Sequence, residues 1–119
     1  MRSLPAIALA LIVMAGPAQA DPAQIVAATA QASGERWRFD VTLAHGDTGW
    51  EDYADGWRVE LADGTILGTR VLVHPHVEEQ PFTRSLSGVA IPAGTDLVHI
   101  RAATNVTGWG ASTRALALN

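Results

Sequence analysis

The stretch RWRFDVTLAH, residues Arg36–His45, decides the fold class of this chain. Polar and apolar side chains alternate over its first eight positions. The apolar members are Trp37, Phe39, Val41 and Leu43. A period of two is that of a β-strand with one face buried and the other in solvent. The same alternation in WRVEL, residues 57–61, predicts a second such strand in which Arg58 and Glu60 face outward.

Turn signals divide the rest of the chain into short strands. The pair Asp63-Gly64, followed by the β-branched run ILGTRVLV, predicts a hairpin from Trp57 to about Val73. Further strands are predicted at QIVAATAQA, FTRSLSGVAI, DLVHIRAAT and STRALAL, with loops at Pro92-Ala93-Gly94 and Gly108-Trp109-Gly110. This spacing of strands predicts an all-β fold, namely a single antiparallel Ig-like β-sandwich of about seven strands.

The first 20 residues have the pattern of a secretory signal peptide. Arg2 precedes an apolar run, residues 4–15, and small residues Ala18 and Ala20 follow. This pattern predicts cleavage before Asp21 and a β-sandwich domain over residues 21–119. The apolar run is shorter than the roughly 20 residues that a transmembrane helix needs, so we expect no membrane anchor after cleavage.

The amino-acid composition limits the cellular compartments and the classes of binding partner that are expected for this chain. The chain contains no cysteine, which excludes disulfides, thiolate catalysis and lipid attachment at cysteine. It also contains no lysine, which resembles GC-rich bacterial coding. Its net charge of −4 disfavours nucleic acid or an anionic membrane surface as a partner, since both need a cationic footprint. We therefore expect a periplasmic or secreted protein.

The segment of residues 85–113 resembles a fibronectin type III domain. The residues that carry the resemblance are Ile91-Pro92, Thr95, Ile100-Arg101-Ala102, Asn105 and Gly108-Trp109-Gly110. They resemble the proline turn, the sixth strand and the asparagine-bearing loop of that family. The family's corner tyrosine, expected near Asp96 or Leu97, is absent. The resemblance implies an Ig-like or fibronectin-like sandwich, and such folds imply no particular function.

The stretch VLVHPHVEEQPF, residues 71–82, suggests a metal site. In an extended chain His74 and His76 project to the same side, and Pro75 places them at an edge or at the end of a strand, near solvent. Such a pair offers ligands to Cu(II), Zn(II) or Ni(II), which favour imidazole nitrogen; Cu and Zn are the metals expected here. His45 and Asp47, which end the second strand, are the predicted further ligands. The alternatives are solvated loop histidines and polar contacts to another ligand or a partner.

A second candidate site is the acidic aromatic loop HGDTGWEDYADGW, residues 45–57. Trp50 and Tyr53 lie beside carboxylates, a combination that can stack on sugar rings and bind their hydroxyl groups. Together with Trp109 they predict a carbohydrate- or protein-interaction module. The alternative is a loop folded over the end of the domain, with Trp50 capping the core. The strand phase of Trp57 places that residue in the core.

No motif in the sequence indicates catalysis. The chain lacks a Gly-x-Ser-x-Gly elbow, a phosphate-binding glycine loop and a His-Glu-x-x-His helix. We therefore predict an exported, non-enzymatic binding domain. Its ligand is expected to be a transition-metal ion held by histidines at one pole of the sandwich, or a carbohydrate or protein held by the loop aromatics.

Overall fold

The computed structural model describes residues 21–119, which form two antiparallel β-sheets. The predicted signal peptide, residues 1–20, lies outside the described residues. The strands are β1 (Gln24–Ser33), β2 (Arg36–Ala44), β3 (Ala54–Glu60), β4 (Ile66–Val71), β5 (Phe82–Val89), β6 (Leu97–Thr104), β7 (Gly108–Trp109) and β8 (Arg114–Ala117). One sheet has the order β1-β2-β5; the other has the order β4-β3-β6-β7, with β8 also paired to β6. The predicted all-β fold is confirmed, and the paired sheets are compatible with a β-sandwich.

The end of the chain departs from the predicted strand pattern. Gly108-Trp109-Gly110, predicted as a loop, contributes the short strand β7, in which Trp109 pairs with Ala103. A second segment, β8, pairs with the other half of β6. The last edge of the larger sheet is therefore split, because β6 is long enough to pair with two successive segments. Within residues 21–119, no helix has the length and apolarity that crossing a membrane requires.

The apolar side chains that alternate along β2 form one side of the hydrophobic core. Phe39, Val41 and Leu43 are completely or almost completely buried, as the sequence predicts. Trp57 and Val59 of β3 are completely buried too and belong to the same cluster. The other buried apolar members are Ala54, Leu72, Phe82, Val89, Val98, Ile100 and Ala102. Because both sheets supply these side chains, one hydrophobic core lies between the two layers.

The predicted hairpin is present. β3 and β4 pair antiparallel from Gly56 opposite Val71. At the turn Gly64 has a φ of 91°, a left-handed conformation that glycine adopts without a steric penalty. The amide of Thr65 donates to the Asp63 carboxylate at 3.0 Å, which is the local hydrogen bond that makes aspartate common in such turns.

Three loops meet at one end of the two-sheet domain, and we call this end the loop pole. Its loops are residues 45–53, 72–81 and 105–107. The register places their ends side by side: Leu43 lies opposite Phe82, and Ala54 opposite Thr104. The start of β1 reaches the same end, since Gln24 pairs with Ala44. Antiparallel pairing thus brings the histidine-rich and the aromatic segments together.

Truncating one core side chain tests this packing. We expect Leu43→Ala to lower the free energy of unfolding by about 2–5 kcal/mol, because it removes buried methyl groups and leaves a cavity. Urea denaturation followed by tryptophan fluorescence measures the change. The control Leu97→Ala, at an exposed position of β6, should change stability by less than about 0.5 kcal/mol. Equal losses in the two variants would contradict the assignment of Leu43 to the core.

Candidate functional site

The carboxylate of Asp47 lies at the centre of the loop pole. It is buried and accepts three hydrogen bonds. Oδ1 accepts from the ring Nδ1 of His45 at 2.6 Å and from the amide of Ala54 at 3.0 Å. Oδ2 accepts from the amide of His76 at 2.8 Å. These donors belong to the loop of Asp47 itself, to the first residue of β3 and to the loop of residues 72–81, so the carboxylate joins three segments.

His45 is held between oxygen acceptors on both sides of its ring. Its Nδ1 faces the Asp47 carboxylate, and its Nε2 lies 2.9 Å from the carbonyl oxygen of Asp21. A carboxylate oxygen of Asp52 lies 3.6 Å from the same Nε2. Both ring nitrogens of the buried His45 thus face oxygen atoms of the protein at hydrogen-bond distance, and neither faces open space in which a metal ion could bind.

The segments predicted to form a metal site do meet, but through the backbone. Gln80 completes the junction: its Oε1 accepts from the amide of His45 at 3.0 Å, and its Nε2 donates to the carbonyl of His76 at 2.9 Å. Among residues 21–119, no group of three or more His, Cys, Asp or Glu side chains is arranged to hold a metal ion. The predicted shell of His45, Asp47, His74 and His76 is not assembled in this arrangement.

His74 and His76 are neighbours, as their spacing predicts, but their surroundings differ. Their ring centroids are 4.7 Å apart. His74 is exposed, whereas His76 is only 5% exposed and stacks on Phe82 at 3.9 Å. The prediction that both rings lie near solvent is wrong for His76. The reason is that β4 ends at Val71, so the His-Pro-His segment is a loop that turns back over the core.

The environment of His76 favours its neutral form. Burial is the main cause that lowers the pKa of this imidazole, and the positive charge of Arg84 and the proximity of His74 act in the same direction. Stacking on the apolar ring of Phe82 removes water from one face. Desolvation and the neighbouring positive charge thus both disfavour the protonated form of the His76 imidazole within the loop pole.

The role of Asp47 can be tested by removing its charge. Asp47→Asn replaces one acceptor oxygen by an amide donor, so at least one of the three hydrogen bonds is lost. We expect the free energy of unfolding to fall by at least about 2 kcal/mol. Amide hydrogen exchange should accelerate at Ala54 and His76. The exposed Asp96→Asn variant is the matched control, and exchange rates unchanged in Asp47→Asn would refute a joining role.

Trp50 projects from the tip of a tight turn in the aromatic loop. The turn is closed by the amide of Thr48 donating to the carbonyl of Asp52 at 3.0 Å, and by a bridge between Gly49 and Asp52. The indole is 65% exposed, so it does not cap the core. It packs edge-to-face against Tyr53, with ring centroids 5.6 Å apart.

Asn105 fixes this loop to the other side of the pole, a role the sequence did not reveal. Its Nδ2 donates to the carbonyl of Trp50 at 2.9 Å, and its Oδ1 accepts from the amide of Tyr53 at 2.8 Å. Its own amide donates to the carbonyl of Tyr53 at 3.1 Å. The position of Asn105 in the fibronectin-like pattern was the only signal for this side chain. Three hydrogen bonds from one residue hold the backbone beneath both aromatic rings.

Trp109 occupies a different surface, the outer face of the larger sheet. Its ring lies over Arg58, whose guanidinium carbon is 4.0 Å from the ring centroid. The ring is 40% exposed. Within residues 21–119 the ring contacts of Trp50 and Tyr53 are with each other and do not include Trp109. The three predicted ligand-binding aromatics therefore form a pair at the loop pole and a separate ring on the sheet.

Two clefts border Trp109. A cleft of about 710 Å³ lies between the start of β1 and the segment of residues 107–114. A groove of about 290 Å³ lies on the outer face of the larger sheet, with Gly56 and Ala103 among its lining residues. A Cβ at position 56 would lie 3.6 Å from the Trp109 ring, an ordinary contact, but only 3.3 Å from the carbonyl oxygen of Arg70. Trp109 thus lines both of these concave surfaces.

Glu60 lies beneath two arginines on the same face. It was predicted to face outward, and it does point away from the core, but Arg58 and Arg101 bury it. Its Oε2 accepts from the Nε atoms of Arg58 at 2.6 Å and Arg101 at 2.8 Å. These contacts, that of Arg101 foremost, lower the pKa of Glu60. The burial was missed because the arginine of β6 comes from a distant part of the chain.

The lowered pKa of Glu60 makes stability depend on pH. A depressed carboxyl pKa adds stability above its unfolded value of about 4.3, and this contribution is lost as the pH falls through the folded value. We expect Glu60→Gln to cost roughly 1.5–3 kcal/mol at neutral pH. The difference from wild type should shrink below about pH 4. Denaturation at a series of pH values, with exposed Glu35→Gln as the control, measures this; parallel pH profiles for wild type and Glu60→Gln would contradict it.

Comparison with known proteins gives a sequence similarity that covers part of the chain. No protein-family model matches the chain, and no solved structure matches it. A protein of Halomicrobium mukohataei described as "Putative lipoprotein" is 43% identical over 89 residues. The match covers 74% of this chain and 43% of that protein, so the chain spans less than half of the relative's length.

Proposed function

We propose that this chain is an exported, non-enzymatic binding domain of the Ig-like or fibronectin type III type. The strand order supports the fold type. In Ig-like sandwiches strands A, B and E share one sheet, and strand C pairs with F in the other, with G at the edge. Here β1, β2 and β5 share one sheet, while β3 pairs with β6, and β7 and β8 form the edge. The strand β4 takes the place that C′ has beside C in larger members.

Export is supported by two independent features. The first 20 residues have the composition of a signal peptide, and the protein of Halomicrobium mukohataei carries a lipoprotein description. Lipoproteins are exported and held at the cell envelope, which is compatible with a periplasmic or secreted location. This chain contains no cysteine to carry such a lipid. We therefore propose a location outside the cytoplasm.

The observation that carries the binding proposal is the exposed Trp50 on a fixed backbone. A large ring left in solvent contributes binding energy when a ligand covers it. Because Asn105 already holds the loop through three hydrogen bonds, little conformational entropy is lost on binding. Tyr53 supports the indole from the side.

A neutral carbohydrate is the ligand that this surface fits best. The faces of sugar rings stack on indole, and the carboxylates of Glu51 and Asp52, which follow Trp50 directly, can accept hydrogen bonds from hydroxyl groups. The net charge of −4 disfavours polyanionic glycans. We therefore propose that the domain recognises an uncharged oligosaccharide through Trp50, with Tyr53 as the supporting ring. Trp109 lies on the sheet face and serves as a separate contact.

Affinity electrophoresis in gels containing neutral polysaccharides tests this proposal. A panel of soluble glucans, mannans, galactans and chitin oligomers should include at least one ligand that retards the wild type. Trp50→Ala should weaken that binding about tenfold or more, because it removes the central ring. It should leave thermal stability unchanged, since the indole is exposed. Tyr53→Ala should have a smaller effect.

The matched control is Ile66→Ala, which removes an exposed apolar side chain at the opposite end of the domain. Its binding should equal that of the wild type. Absence of binding to every neutral glycan, or full binding by Trp50→Ala, would refute carbohydrate recognition at the loop pole. Binding to a protein partner that depends on Trp50 would instead assign the same surface to protein recognition.

A further inference from the structure

The unusual feature of the loop pole is a buried imidazole without hydrogen bonds. His76 is 5% exposed, and within residues 21–119 neither of its ring nitrogens has a hydrogen-bond partner. A neutral imidazole carries one N–H donor and one acceptor. Leaving such groups buried and unpaired costs about 1–3 kcal/mol each. Leucine at this position would pack on Phe82 without that cost, so stability alone does not account for the histidine.

The backbone on both sides of this ring is held in place. The amide of His76 donates to Asp47 at 2.8 Å, and its carbonyl accepts from Gln80 at 2.9 Å. The stacked ring of Phe82 fixes the plane of the imidazole, with an angle of 11° between the two planes. His76 is therefore positioned by its surroundings, and its nitrogens are the part of the residue that the protein leaves unused.

The neighbouring ring supplies a second nitrogen of the same kind. His74 lies beside His76, with 4.7 Å between ring centroids. Its Nδ1 is 3.1 Å from the carbonyl of Pro75, which leaves Nε2 as the nitrogen not engaged with the described residues. Because His74 is exposed, its ring is free to turn about its side-chain bonds. The ring nitrogens of His76 are buried, so an ion reaches them only when neighbouring side chains such as His74 move aside.

We propose that His74 and His76 bind a divalent transition-metal ion and that Cu(II) binds most tightly. Solvent molecules complete the coordination of the ion. Imidazole nitrogen suits copper, nickel and zinc, and copper binds most tightly of these to a given set of nitrogen ligands. His45 and Asp47 are not ligands in this proposal, because their atoms are used in hydrogen bonds. They position the backbone of His76. The site is independent of carbohydrate binding at Trp50.

The experiment uses the exported protein purified without an affinity tag. Isothermal titration with Cu(II) should give one site with a micromolar dissociation constant. The electron paramagnetic resonance spectrum should show coupling of the copper to imidazole nitrogen. His74→Ala and His76→Leu should each weaken binding about tenfold or more, because each removes one of two ligands. His99→Ala, which removes a histidine of β6 on the outer face, should bind as the wild type does.

A metal-free measurement separates the site from a merely structural histidine. His76→Leu should be at least as stable as the wild type, because it removes unpaired polar atoms from an apolar contact. A large loss of stability in this variant would show that the ring is needed for folding and would overturn the argument. So would the absence of a micromolar copper site, or full binding by either histidine variant. Because His74 is exposed, His74→Ala tests copper binding without an expected change in stability.

Discussion

The buried carboxylate of Asp47 is the interaction on which the whole loop pole depends. A carboxylate removed from water must be matched by hydrogen-bond donors or by an opposite charge, and His45 together with two backbone amides supplies three donors. Because these donors come from residues far apart in the sequence, satisfying one charge sets the positions of two loops and of the first residue of β3. The exposed Trp50 and the pair of His74 and His76 are both carried by loops held in this way. A fixed backbone beneath them reduces the conformational entropy that the two proposed sites would lose on binding a ligand.

On the outer face of the larger sheet, charged side chains stabilise the pairing of strands. Glu60 lies between two arginines of neighbouring strands, and the guanidinium of Arg58 also supports the ring of Trp109. Arg101 extends the network by donating to the carbonyl of Gly110 at 2.6 Å. Cross-strand pairs of this kind hold strands in register, and here they also hold the short strand β7 against β6. The sheet therefore carries its own rigid surface, chemically distinct from the loop pole.

Much of the fold follows from local patterns. The alternation in β2, the Asp63-Gly64 turn and the burial of Trp57 are consequences of residues one, two or four positions apart, and all three were predicted. The closeness of His74 and His76 has the same local origin. The errors have a common cause, which is that each depends on a contact with a residue from another segment of the chain. The burial of His76 depends on Phe82, that of Glu60 on Arg101, and the pairing of Trp109 on Ala103. The contributions of Gln80 and Asn105 were missed because amide side chains give no periodic signal.

The sequence by itself determined the class of fold, the buried face of β2 and of β3 and the candidate binding residues. These properties depend on strand periodicity, turn chemistry and composition, which can be recognised in a single sequence. Only the tertiary structure decided which of those residues remain available. The side chains of His45 and Asp47 form hydrogen bonds within the protein. Trp50 is exposed, whereas His76 is buried and its ring nitrogens have no hydrogen-bond partner among the described residues. The physical reason is that a polar side chain takes its role from partners brought together by strand pairing, and those partners lie far away in the sequence.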